Sequence, residues 1–136
     1  MKIKLDPGAY MPERAHPTDA GLDLRSPVEL MLWGGQYADI DTGVHIQLPP
    51  CLAGFVKSKS GLMFRNDILT DGVVDEGYTG SIHVKLFNFG NEGLHISKGD
   101  KIAQLVLIPV PKPELELVST LEDTDRGTDG FGSTGR

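Results

Sequence analysis

The chain holds a single cysteine, Cys51, in 136 residues. One thiol cannot staple a domain internally and cannot build a cysteine metal site, so a disulfide framework is excluded. Beside Pro49-Pro50 it reads as a small, half-buried apolar residue. Long apolar runs are missing too: none approaches the ~18 residues that a membrane-crossing helix needs. Lys2 and Lys4 are followed at once by Asp6-Pro7-Gly8, not by the apolar stretch of a secretory leader. The expectation is a soluble, cytoplasmic protein with no membrane partner. Basic residues are also short, 13 against 19 acidic, for a net charge of −6. Binding a phosphate backbone calls for a basic face, so a nucleic-acid partner is not expected. An acidic chain can still hold one small polyphosphate where local cations and a metal ion offset the charge. No internal repeat is present, and helical patterning is almost absent.

What is there suits one folded domain. Hydrophobic content of 39% and charged content of 24% fit a globular chain with a core. Residues 1–5 alternate, and Val28, Leu30 and Leu32 alternate after an irregular stretch. Residues 40–48 carry Val44, Ile46 and Leu48 in phase before Pro49-Pro50. Residues 53–58, 101–110 and 115–118 read as further strands. Only residues 61–68 suit a helix, with Ser60 as its cap and Leu62, Phe64 and Ile68 on one side. Many short strands, 17 glycines and 9 prolines predict an all-β fold, a jelly-roll-like β-barrel with at most one short helix. The expected division is a core over residues 1–121 and a flexible, Gly-rich C-terminal arm over 122–136, too poor in apolar residues to offset its ordering entropy.

Three stretches carry chemistry. Gly72-Val73-Val74-Asp75-Glu76-Gly77-Tyr78-Thr79-Gly80, followed by alternating Ile82, Val84 and Leu86, reads as a β-hairpin turning near Glu76-Gly77. Backbone groups of such a hairpin can read the edge of a base, with Asp75 as a proton acceptor beside the cleft and Tyr78 as an aromatic wall. The plain alternative is a surface hairpin with a solvated Asp75. Ser58-Lys59-Ser60-Gly61 offers a cation, hydroxyls and a glycine at a helix start, which suits an anion; a surface lysine is the simpler reading. In the arm, Arg126 can clamp a phosphate, Gly132, Ser133 and Thr134 can cradle one, and Phe131 can stack on a base. Gln104 stands inside an apolar run and either faces solvent or points into a site.

Taken together, five stretches resemble, in order, the five motifs of the trimeric dUTPases: residues 19–26, 59–62, 72–80, 99–105, and Arg126 with Gly130-Phe131-Gly132-Ser133-Thr134-Gly135. The resemblance spans nearly the whole chain. It implies a β jelly roll assembled as a homotrimer, with active sites shared between subunits and closed by the arm. It further implies hydrolysis of dUTP at the α-phosphate to dUMP and pyrophosphate, within the nucleotide metabolism that keeps uracil out of DNA. Asp75 would orient and deprotonate the attacking water. Lys59, Ser60, Gly61, Gln104, Arg126, Gly132, Ser133 and Thr134 would bind the triphosphate. Backbone near Gly72, Val73 and His83 would pair with uracil, Tyr78 would sit under the deoxyribose, and Phe131 would stack on the base. Mg²⁺ is the implied cofactor, held by phosphate and water oxygens with no direct protein ligand, and Asp23 reaches its water shell. Lys59 stands where the family has Arg, as does Lys101; Ser58 stands where proline is common, and Asp71 where a small residue is. Two rivals stay open: the related dCTP deaminases, and a dUTPase-like regulatory protein that holds nucleotide and engages a partner.

Overall fold

The computed structural model describes residues 1–129; Phe131, Gly132, Ser133 and Thr134 therefore lie outside the described residues. Ten strands and one helix follow in order: β1 (Lys2–Leu5), β2 (Gly21–Arg25), β3 (Leu30–Leu32), β4 (Tyr37–Gln47), β5 (Leu52–Lys57), α1 (Ser60–Asn66), β6 (Ile68–Leu69), β7 (Asp71–Val74), β8 (Ser81–Asn88), β9 (Leu94–Ile96) and β10 (Lys101–Pro109). One sheet runs β1-β4-β8-β6, a second β2-β10-β5-β7, and β3 pairs with β9 in a small third. The fold is thus all-β with one short helix, and the described ladders leave sheet edges open rather than closing a barrel. Their apolar faces meet in one core. Ile40, Val44, Ile46, Ile82, Val84 and Leu86 come from the first sheet, and Leu24, Val56, Val74, Ala103 and Leu105 from the second. The period-2 patterns of β4 and β8 place these side chains inside and leave Asp39, Asp41, His83 and Lys85 outside.

Two polar residues are buried where a ladder is irregular. The β4–β8 register shifts between Asp41 and His45. There Gly43 takes φ 65°, and the Thr42 hydroxyl donates to the Ile82 carbonyl at 2.6 Å. Asn88 ends β8 with its amide donating to the carbonyls of Leu32 and Glu92, at 3.0 and 2.8 Å, which ties the small sheet to the large one.

Three sequence expectations are corrected. The proposed hairpin is not one: β7 pairs with β5 and β8 with β4, so residues 75–80 arch from one sheet to the other. Alternation identifies strands but not which sheet receives them. The helix begins at Ser60, with Lys59 as an extended N-cap (φ −81°, ψ 132°) and no side-chain cap. Leu62 packs on the core, whereas Phe64 is 79% exposed. Residues 115–118 form no strand; Leu115 and Leu117 stand almost fully exposed, and none of the described residues pairs with them.

Candidate active site

The second sheet carries a row of polar residues across its strands. Asp23 on β2 sits opposite Gln104 on β10, Gln104 opposite Lys57 on β5, and Lys57 opposite Asp71 on β7. Asp23 is the one buried carboxylate among the described residues, only 5% exposed. Lys59, reaching back from the helix N-cap, hydrogen-bonds and ion-pairs with Oδ1. The Lys101 ammonium lies 2.6 Å from Oδ2, an ion pair off the hydrogen-bond line. Burial pushes the Asp23 pKa upward, but the two ammonium groups of Lys101 and Lys59 outweigh it and hold the carboxyl below its ordinary range. The β2–β10 register shifts between Lys101 and Ala103, so Lys101 pairs with Arg25 along the ladder while its ammonium reaches Asp23.

Gln104 is half-buried, and its amide donates to the Ser58 carbonyl at 3.1 Å. It lies so close over β2 that a Cβ at Gly21 would come within 2.5 Å of its Oε1. Ser58 joins the chain before the helix to the chain before β7: its hydroxyl donates to the Thr70 carbonyl at 3.0 Å and accepts from the Thr70 amide at 2.8 Å. Ser60 and Gly61 are exposed in the first turn of α1, and a Cβ at Gly61 would meet nothing within 4 Å. The unusual Asp71 has a partner, Lys57 at 2.6 Å across the ladder, and this ion pair pulls its pKa down.

The other candidate group lies at the far end of the same sheet. From the Lys57–Asp71 pair to the Gly54–Val74 pair is three residues along the strands, or about 10 Å. Beyond it stands Asp75, exposed, with no described residue bonding to its carboxylate. The loop around it is tied down at three other points. Glu76 accepts the Cys51 amide at 3.0 Å and pairs with Lys112. The Lys112 bond, then the Cys51 amide, lower its pKa. The Tyr78 hydroxyl donates to the Ser81 carbonyl at 2.8 Å, with the ring folded tightly against Gly80, where a side chain would collide with it. His45 bridges Asp6 and the Thr79 carbonyl, each at 2.9 Å. The hydrogen bond His45 donates to Asp6 leads the causes that raise the His45 pKa. Because β7 and β8 are not paired to each other, the outer edge of β7, with Gly72 and 61%-exposed Val73, keeps its backbone groups free of any described ladder. So does the edge of β8 around His83. The His83 imidazole faces outward to Asp39, at 2.9 Å.

Within this chain, therefore, the structure brings together Lys59, Gln104 and Asp23, and separately Asp75, Tyr78, Gly72 and Val73. It does not join the two sets. Arg126 is exposed and bonds within its own turn, to the Asp129 carbonyl at 3.0 Å. Sequence reasoning left Lys101, Gly21 and Glu76 without a role. Lys101 carried a signal, standing with Lys59 where the family prefers Arg, but its shared carboxylate is visible only in three dimensions.

The two facing sheets thus carry a lysine-clamped acid at one end and, at the other, an exposed carboxylate on an anchored loop, groups chemically suited to meeting an anion and to aiming a water. The family model for dUTPase matches residues 8–135. The deoxyuridine 5'-triphosphate nucleotidohydrolase of Clostridium acetobutylicum is 45% identical over 99% of this chain and 96% of its own length. The protein of that name from Mus musculus is 41% identical over 98% and 83%. Among solved structures, the Staphylococcus bacteriophage 80alpha dUTPase with dUPNHPP superposes with a TM-score of 0.93 at 32% identity, covering 99% of this chain and 98% of that one. A point mutant of the dUTPase from phage phi11 of S. aureus, described with a structural Mg(II) ion, gives 0.82 at 29% identity over 90% and 98%. The chain belongs to the dUTPase family.

Proposed function

We propose that the protein hydrolyses dUTP at the α-phosphate to dUMP and pyrophosphate. The observation that carries this reading is the exposed Asp75 carboxylate, bonded to no described residue, on a loop held at Glu76, Tyr78 and Thr79. A carboxylate is a weak base at neutral pH, so its main value is to hold one water in line with the α-phosphorus. Lys59, Ser60, Gly61 and Gln104 bind the triphosphate, and Arg126 adds a forked clamp from the arm, with Gly132, Ser133 and Thr134 cradling phosphate oxygens. The free edges of β7 and β8, at Gly72, Val73 and His83, pair with the uracil edge and leave no room for a methyl. Tyr78 excludes a ribose 2′-hydroxyl, and Phe131 covers the base.

Among the described residues, no group of three or more His, Cys, Asp or Glu is disposed to hold a metal ion, and Asp23 already faces two cations. This donor set suits Mg²⁺ carried by the substrate's phosphates and by water, with Asp23 at the edge of its water shell. When bound, the ion supplies charge neutralisation on the triphosphate.

The separation of Lys59 from Asp75 along the sheet supports a homotrimer in which one subunit's Asp75 loop faces another's lysine-clamped end. The exposed Leu115, Leu117, Val118 and Leu121 give the segment before the arm an apolar face suited to a neighbouring copy. In this reading residues 1–121 are the core and 122–136 the arm that closes the site. The test is pyrophosphate release with Mg²⁺ from dUTP, dCTP, dTTP and UTP side by side, with the oligomer mass measured by light scattering. Release from dUTP alone by a trimer is expected; release from none would overturn the hydrolytic reading.

A further inference from the structure

Asp23 is charged, its side chain is 7% exposed, and it faces two cations where one would suffice. A buried carboxylate stripped of its last counter-charge is strongly destabilising. A lysine that is the sole partner of such an acid cannot leave it for a ligand. Here each carboxylate oxygen has its own ammonium, a division that compact point charges permit and a single forked guanidinium would not. The two lysines differ in their anchorage. Lys59 extends from the N-cap of a short helix beside the open Ser60-Gly61 turn, whereas Lys101 sits in the β10 ladder opposite Arg25.

We infer that Lys101 is a positioning residue for the reaction: it keeps Asp23 compensated, so that Lys59 is free to swing from the acid to the substrate's phosphates. This rests on the reading of Lys59 as a phosphate ligand. Lys101 touches no substrate in this scheme and acts only by lowering the cost of releasing Lys59. The consequence is a distinctive sign of coupling. Removing Lys101 locks Lys59 onto Asp23, and neutralising Asp23 as well unlocks it.

The test uses the full chain and inorganic pyrophosphate in the absence of divalent metal, which takes any water shell of Mg²⁺ out of the comparison, together with KM and kcat for dUTP. Lys59→Met is expected to weaken pyrophosphate binding; unchanged affinity would remove Lys59 from the phosphate site and the inference with it. Lys101→Met is expected to weaken pyrophosphate binding and raise KM by about tenfold or more, with kcat within about threefold. Lys101→Arg is expected to restore both. The double variant Asp23→Asn, Lys101→Met is expected to bind pyrophosphate better than Lys101→Met alone. A double variant that binds as poorly as Lys101→Met, while Lys59→Met still shows a loss, would overturn the positioning role and make Lys101 itself a phosphate contact. If Lys101→Met does not fold, Asp23→Asn alone decides: affinity equal to or tighter than that of the unmodified protein supports the inference, and weaker affinity overturns it.

Discussion

The two ends of the β2-β10-β5-β7 sheet are built on opposite plans. At one end the polar groups are already engaged with each other, with Lys59 and Lys101 on Asp23, Gln104 on Ser58 and Lys57 on Asp71. At the other, no described residue bonds to the Asp75 carboxylate while its neighbours are fastened. Binding a highly charged ligand asks for cations that are held in place yet can be released. Aiming one water asks for a base whose support does not consume it. Charge compensation serves the first need and peripheral anchoring the second.

The sharpest way to break this contrast is at Asp75. Asp75→Asn is expected to lower kcat for dUTP about 10³-fold while leaving nucleotide affinity, measured calorimetrically, nearly unchanged. A parallel loss of affinity would mean that Asp75 belongs to the binding end. Ending the chain after residue 121 is expected to lower kcat about 10²-fold through loss of Arg126 and the arm, with the oligomer mass intact; full activity would remove the lid. Glu76→Ala loosens the loop without touching the base, and is expected to lower kcat about tenfold with dUTP affinity preserved. Gly80→Ala pushes the Tyr78 ring aside, and the ratio of kcat/KM for dUTP over UTP is expected to fall about tenfold.

The smallest effect concerns pH. His45 faces two acceptors, Asp6 and the Thr79 carbonyl, and only the doubly protonated ring donates to both. Lys4 is the other charged group beside it. The raised His45 pKa means its stabilisation is fully present below the ordinary 6.5 and is lost as pH rises through the higher folded value. Melting temperature is expected to decline modestly across that window, and His45→Gln is expected to flatten the decline. An identical slope in the variant would place the pH dependence elsewhere.

Much of the architecture was legible in the chain. β1, β4 and β8 announce themselves by alternation, β10 as a long apolar run closed by prolines, and the helix by the break in the strand pattern. The pairing of β7 was not, because a run of alternating residues says nothing about which edge it joins. Leu115 and Leu117 alternate as a strand does, yet a strand needs a partner edge, and the described residues supply none to them. For the site, residue types and spacing were enough to nominate Asp75, Lys59 and Gln104. The two-lysine clamp was hidden because Asp23, Lys59 and Lys101 come from separate segments that meet only in the fold. Glu76 was hidden because an acid in a turn looks solvated until its partners, Cys51 and Lys112, are seen.

Cys51 takes a left-handed conformation, φ 61°, with its amide on Glu76, its carbonyl accepting from the Val110 amide, and its thiol exposed. The lone thiol therefore belongs to the very residue whose amide anchors the loop that carries Asp75. A fluorophore attached there, with no residue introduced or removed, would watch that loop respond to nucleotide in real time.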